Sequence, residues 1–112
     1  MSDTDMKSNG NEGSLIHHFV AFRFKSGSSP VDIQNIEKTF SALKDRIDLV
    51  HSLRWGTNNS PEGLNKNCSH GFLLTFTSTA DRDKYLVHPH HLEFVDLVSP
   101  HVEDVFVLDF TG

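Results

Sequence analysis

Leu15-Ile16-His17-His18-Phe19-Val20-Ala21-Phe22-Arg23-Phe24-Lys25 is rich in β-branched and aromatic residues and reads as a β-strand. Alternation puts His18, Val20, Phe22 and Phe24 on one face and His17, Phe19, Ala21 and Arg23 on the other. Both faces are therefore largely apolar.

The turn Ser26-Gly27-Ser28-Ser29-Pro30 follows, with Ser29 suited to cap a helix, Pro30 to its first position and Asp32 to its third. The helix is expected to run to about Lys44. Ile33, Ile36, Phe40, Leu43 and Ile47 recur every three to four residues and form one stripe that needs a sheet beneath it. Leu49 to Trp55 reads as strand two, closed by Gly56 and a polar loop over Thr57 to Asn67. Ser69 to Thr77 reads as strand three, with His70, Phe72, Leu74 and Phe76 on one face. Ser78 and Asp81 mark the start of a short helix ending near Val87. Pro89 opens a further helical stretch carrying His91, Phe94, Val95 and Val98, which stops near Ser99-Pro100. Val102 to Phe110 is strand four.

This order, βαββ, a broken helix and β, predicts a ferredoxin-like α+β fold, an antiparallel sheet with helices on one face. The other face would carry Phe19, Ala21, Leu73, Phe106, Leu108 and Phe110, too apolar a surface to leave in water. At about 25 cal/mol per Å², burying a few hundred Å² per subunit gives several kcal/mol before association costs. A homodimer with two sheets face to face, forming one barrel with the helices outside, is expected.

The chain has 112 residues, enough for one domain with its own core. Residues 1 to 14 contain no aromatic or β-branched aliphatic side chain and are expected to be a disordered tail, leaving residues 15 to 112 as the domain. Ten basic against fifteen acidic residues give a net charge of −5 with neutral histidines, which argues against a nucleic-acid partner. Cys68 is the single cysteine, so no internal disulfide can form. No apolar run is long enough to span a bilayer and no signal-peptide core is visible, so no membrane association and a cytoplasmic location are expected.

Tyr85-Leu86-Val87-His88-Pro89-His90-His91 gathers three imidazoles and a phenol around a proline. Imidazole can take a proton near neutral pH and a phenol can stabilise an oxyanion, so His91 as base and Tyr85 as donor form a candidate pair. The alternative is structural, with the Tyr85 hydroxyl satisfied against the sheet and His91 bonding a backbone carbonyl across the Pro89 break. His88 and His91 have a usable metal-ligand spacing, but no companion Cys or carboxylate motif completes a zinc signature, and no metal is expected. His88 and His90 fit the turn. His18 and His70 both lie on the inner face, yet strands one and three run antiparallel, so they should stand about 15 to 20 Å apart at roughly 3.3 Å per residue. The two are therefore not expected to meet at one site, and His70 is expected at the far end of the cavity.

The segments His18 to Lys25, Trp55-Gly56, Ser69-His70, His88-Pro89-His90-His91-Leu92-Glu93-Phe94 and Leu108-Asp109-Phe110 together resemble the stress-responsive A/B barrel (Dabb) domain, over about residues 16 to 110. That resemblance implies a dimeric α+β barrel found among plant heat-stable and boiling-stable stress proteins. One branch of the family is a plant polyketide cyclase that closes a linear tetraketide into an aromatic acid by an intramolecular aldol reaction, with no cofactor. By this likeness Tyr85 and His91 match the cyclase's tyrosine and histidine, His18 its strand-one histidine and His70 its strand-three histidine. Its apolar pocket falls on Val20, Phe22, Ile36, Phe40 and Phe72, and on Leu86, Phe94, Val95, Val105 and Val107. Phe22, Phe72 and Val95 are bulkier than their counterparts, which disfavours a long alkyl-bearing substrate. Three functions are thus open: a cavity that binds a small organic ligand, a cyclase-like lyase, or a stress-stability or assembly protein whose cavity is filled.

Overall fold

The structure, a computed structural model, describes residues 14–112. The tail expected over residues 1 to 14 lies outside the described residues except for Ser14. The elements are β1 (Ile16–Phe24), α1 (Pro30–Arg46), β2 (Ser52–Thr57), β3 (His70–Phe76), α2 (Thr79–Leu86), α3 (Pro89–Val98), a 3₁₀ turn (Ser99–His101) and β4 (Val102–Thr111). They follow the expected order. The four strands form one antiparallel sheet in the order β2-β3-β1-β4. This is the ferredoxin-like α+β arrangement.

The apolar strand that opens the chain becomes a central one, paired on both edges. His18 lies opposite Leu74 of β3 and Asp109 of β4, while Val20 lies opposite Phe72 and Val107. Residues directly opposite in an antiparallel pair share a face, so His18, Val20, Phe22, Val105, Val107 and Asp109 all look toward the helices.

Local signals fix the helix ends. The Ser29 hydroxyl accepts the Asp32 N–H at 3.1 Å and that of Ser78 accepts the Asp81 N–H at 3.0 Å. Each cap satisfies an amide that the first helical turn leaves free. α1 continues two residues beyond Lys44 to Arg46, and its stripe buries Ile36, Phe40 and Leu43 against the sheet. β2 is displaced toward the C-terminus from the expected Leu49 to Trp55. Ile47 and Val50 are both buried and are joined by a turn in which the Val50 N–H reaches the Ile47 carbonyl at 3.1 Å. That turn consumes the residues expected to begin the strand. Gly56 does not end β2 but pairs with Gly71 inside the sheet. A Cβ on Gly71 would stand 3.1 Å from the Phe19 ring, so the missing side chain makes room for that phenyl.

Pro89 has no N–H to continue α2 and sits at the first position of α3, where none is needed. His88 caps α3, its Nδ1 accepting the His90 N–H at 3.1 Å. The core between sheet and helices is aromatic: Phe40 stacks on Phe72 with ring centres 4.1 Å apart, and Phe22 and Phe94 close around them. On the opposite face Phe106, Leu108 and Phe110 of β4 are each about half exposed.

Candidate functional site

The helices do not reach across the whole sheet. α1 covers the β3 side and α2 and α3 the middle, so among the described residues edge strand β4 lacks a cover on its helix side, and Val105 and Val107 remain 49% and 52% exposed there. The space left between β1, β4, α2 and α3 is a cavity of about 560 Å³. Its walls are apolar, made by Val20, Phe22 and Phe40 on one side and Leu86, Phe94 and Val95 on the other, with Val105 and Val107 as the outer wall. Ile36 and Phe72, expected to line this space, do not. They lie behind it at 1% and 0% exposure, packed in the core by α1.

Three polar side chains meet at one end: His18 from β1, Tyr85 from α2 and His91 from α3. The Tyr85 ring centre is 4.5 Å from that of His91 and 6.1 Å from that of His18. The Tyr85 hydroxyl is buried and has no hydrogen-bond partner among the described residues. Of the structural alternative for this pair, the satisfied phenol is thus absent. The other half is present: His91 Nδ1 donates to the Leu86 carbonyl at 3.0 Å, across the Pro89 break. That bond also has a chemical result. A carbonyl can only accept, so Nδ1 carries the proton of the neutral ring and Nε2 keeps its lone pair. Burial holds the imidazole below its ordinary value, outweighing the Leu86 carbonyl, with His18 and His88 adding to the lowering. Burial likewise raises the Tyr85 phenol, which therefore stays protonated as a donor.

His18 is oriented by a carboxylate. Its Nδ1 donates to Asp109 Oδ1 at 2.7 Å, and Asp109 Oδ2 accepts from an Arg82 guanidinium nitrogen at 2.8 Å. Neither Asp109 nor Arg82 stands out as a site residue in the sequence alone. Two signals were available: Asp109 lies opposite His18 once strands one and four are paired, and Arg82 precedes Tyr85 by three residues, which puts both on one side of α2.

His70 is elsewhere and does not line the cavity, not even its far end. Four residues before Leu74 along β3, it donates from Nε2 to Glu37 of α1 at 2.7 Å and accepts at Nδ1 from the Ser69 hydroxyl at 2.7 Å. Trp55 lies parallel over it with ring centres 5.9 Å apart. Ser69, His70 and Glu37 have the order of a nucleophile, base and acid, but the Ser69 N–H is spent on the Phe22 carbonyl at 3.0 Å and cannot hold an oxyanion. This cluster fastens α1 to the sheet. Of the remaining turn histidines, His90 accepts from Arg46 at 2.9 Å. Among the described residues no three His, Cys, Asp or Glu side chains are grouped to hold a metal ion.

Residues 16–112 match the family model described as Stress responsive A/B Barrel Domain. The chain belongs to this family. Within it, the stress-response A/B barrel domain-containing protein HS1 of Arabidopsis thaliana is 30% identical over 95 residues, 85% of this chain and 87% of that protein. Olivetolic acid cyclase of Cannabis sativa is 23% identical over 96 residues, 86% of this chain and 95% of the cyclase. Among solved structures, the hydroxynitrile lyase of Passiflora edulis superposes with a TM-score of 0.82 at 28% identity, covering 88% of this chain and 93% of that one. Dimeric ferredoxin-like proteins of Bacteroides fragilis, Jannaschia and Thermobifida fusca share the fold at lower identity. No helix among the described residues is long and apolar enough to cross a membrane.

Proposed function

We propose that this A/B barrel protein binds a small, mostly apolar carbonyl compound in the cavity and moves a proton on it without a cofactor. The observation that carries the reading is the Tyr85 hydroxyl, buried and unpartnered beside an imidazole whose lone pair is free. At the wall of the cavity, that hydroxyl keeps its donor for a ligand oxygen. His91 Nε2 is the base and Tyr85 the donor to the carbonyl or alkoxide oxygen. His18 orients the ligand from the other side.

The same two groups serve either direction of carbonyl addition. In ring closure, His91 takes a proton from the carbon next to one carbonyl, the resulting enolate attacks a second carbonyl whose oxygen Tyr85 holds, and the alkoxide so formed takes the proton back from His91. In hydroxynitrile cleavage, His91 takes the hydroxyl proton, the carbon–carbon bond breaks to leave a carbonyl, and cyanide departs to be protonated. The relatives named as a cyclase and a hydroxynitrile lyase support this chemistry class without choosing the substrate. The open volume favours ligand binding over a filled barrel with a purely structural role.

The functional unit in this reading is a homodimer of the domain over residues 15 to 112, a second copy covering Phe106, Leu108 and Phe110. The dimeric ferredoxin-like neighbours and the exposed apolar face support it. A lone thiol suits a reducing, cytoplasmic setting. Sedimentation at micromolar concentration is expected to give twice the chain mass, and Leu108→Glu to give the single mass. A monomeric wild type would refute the dimer.

The site is tested with aryl aldehydes, methyl ketones, β-keto acids and the cyanohydrin of benzaldehyde as probes. At about 100 times its Kd a bound probe raises stability by about 2.7 kcal/mol, visible as a melting shift. Exchange of ketone α-protons in deuterated water, or release of cyanide, reports catalysis. Absence of any melting shift across the four classes would sink the reading.

A further inference from the structure

We infer that Arg82 is a positioning residue for His18, acting through Asp109, so that the cavity's second imidazole is held in one tautomer by a three-member relay. The inference rests on the reading that His18 serves the cavity, and names what regulates its ring. Asp109 uses one carboxylate oxygen for each neighbour, Oδ1 for His18 Nδ1 at 2.7 Å and Oδ2 for Arg82 at 2.8 Å. Two bonds to different oxygens fix the rotation of the carboxylate plane, where one bond would not. The anchoring matters here because Asp109 stands on the uncovered edge strand, its side chain 24% exposed against 6% for His18. Released from Arg82, that carboxylate can swing out to water.

Arg82 is itself held. Its Nε donates to Asp83 at 2.8 Å, and its side chain is four-fifths covered although it lies at the cavity rim. Three residues later on the same helix comes Tyr85, so α2 delivers the phenol and the anchor of the relay from one side. A carboxylate holds the attached imidazole with Nδ1 protonated and Nε2 bare.

A merely structural role for Arg82, pinning α2 to β4, predicts a loss of stability and no change in the His18 ring. The two are separated by long-range proton–nitrogen spectra of the full chain labelled with ¹⁵N-histidine, recorded without ligand at pH 7.5. The wild type is expected to show His18 with one protonated and one bare nitrogen. Arg82→Gln and Arg82→Met should each lower that signature by about twofold or more, Asp109→Asn should abolish it, and Arg82→Lys should restore most of it. Each variant's melting is followed alongside, and if one of the two neutral variants does not fold the other supplies the comparison. His18 nitrogens unchanged in a folded, uncharged Arg82 variant would overturn the proposal. Because no ligand is present, a failed ligand screen leaves this result standing, and an unchanged ring leaves the ligand result standing.

Discussion

His18 and His70 occupy the same face of the same sheet, each more than nine-tenths buried and each 2.7 Å from a carboxylate. Around His70 both nitrogens are engaged, by Glu37 and by Ser69, and an indole covers the ring. Around His18 a single nitrogen is engaged, and what lies next to the ring is an open cavity and a phenol with no partner. The comparison teaches that a buried histidine–carboxylate pair has no function by itself. Saturating the second nitrogen makes a clasp, and leaving it bare beside empty space leaves it free to meet a ligand.

The most forceful way to break the contrast is in the cavity that His18 faces, at its neighbour His91. His91→Gln is expected to cost about 10²- to 10⁴-fold in turnover of whichever carbonyl probe responds. Stability should fall by no more than about 1.5 kcal/mol, for the one hydrogen bond to Leu86. A melting collapse with unchanged turnover would reverse the assignment.

Next in size is the clasp. His70→Ala leaves Glu37 partly buried without its donor and removes the surface on which Trp55 and Phe24 pack. Urea unfolding should show a loss of about 2 to 3 kcal/mol, below the range for a fully buried pair because Glu37 keeps some solvent. Probe binding should survive in the folded fraction.

Tyr85→Phe sharpens the comparison with opposite signs in one variant. Removing an unsatisfied buried hydroxyl is neutral or stabilising by up to about 1 kcal/mol, while probe affinity and turnover fall. A destabilised variant would mean that the hydroxyl has a partner after all.

The smallest expected effect is with pH. Unfolded His91 takes its proton near the ordinary value of 6.5, and the folded protein takes it lower because the ring is buried. Between those points the unfolded chain binds more protons, so this contribution to stability is fully present above about pH 6.5 and is lost as pH falls toward the folded value. The urea midpoint at pH 5 should lie closer to that at pH 7.5 in His91→Gln than in the wild type.

Much of the fold was legible because it is written in short-range signals. The alternation of β1, the Ser-x-x-Asp caps at Ser29 and Ser78, and Pro89 each act within a few residues. Where the reading slipped, the cause was tertiary: Leu49 and Val50 look like strand but are drawn into the turn that plugs the end of α1. The site divides in the same way. Tyr85, His91 and His18 stood out by residue type, whereas excluding Ile36, Phe72 and His70 from the cavity required knowing where α1 lies across the sheet. Arg82 was invisible because a lone arginine on a polar helix acquires meaning only when β4 brings Asp109 beside it.

The two-sidedness of β4 has a further consequence. Alternate residues of this ten-residue strand face different worlds, Val105, Val107 and Asp109 toward the cavity, Phe106, Leu108 and Phe110 away from it. A ligand inside and a second copy outside would press on one ribbon of backbone from its two sides. Whatever strand position one occupant prefers is felt by the other, and the coupling free energy between them is the same in both directions. Ligand affinity would then vary with protein concentration, and the dissociation constant of the dimer with ligand.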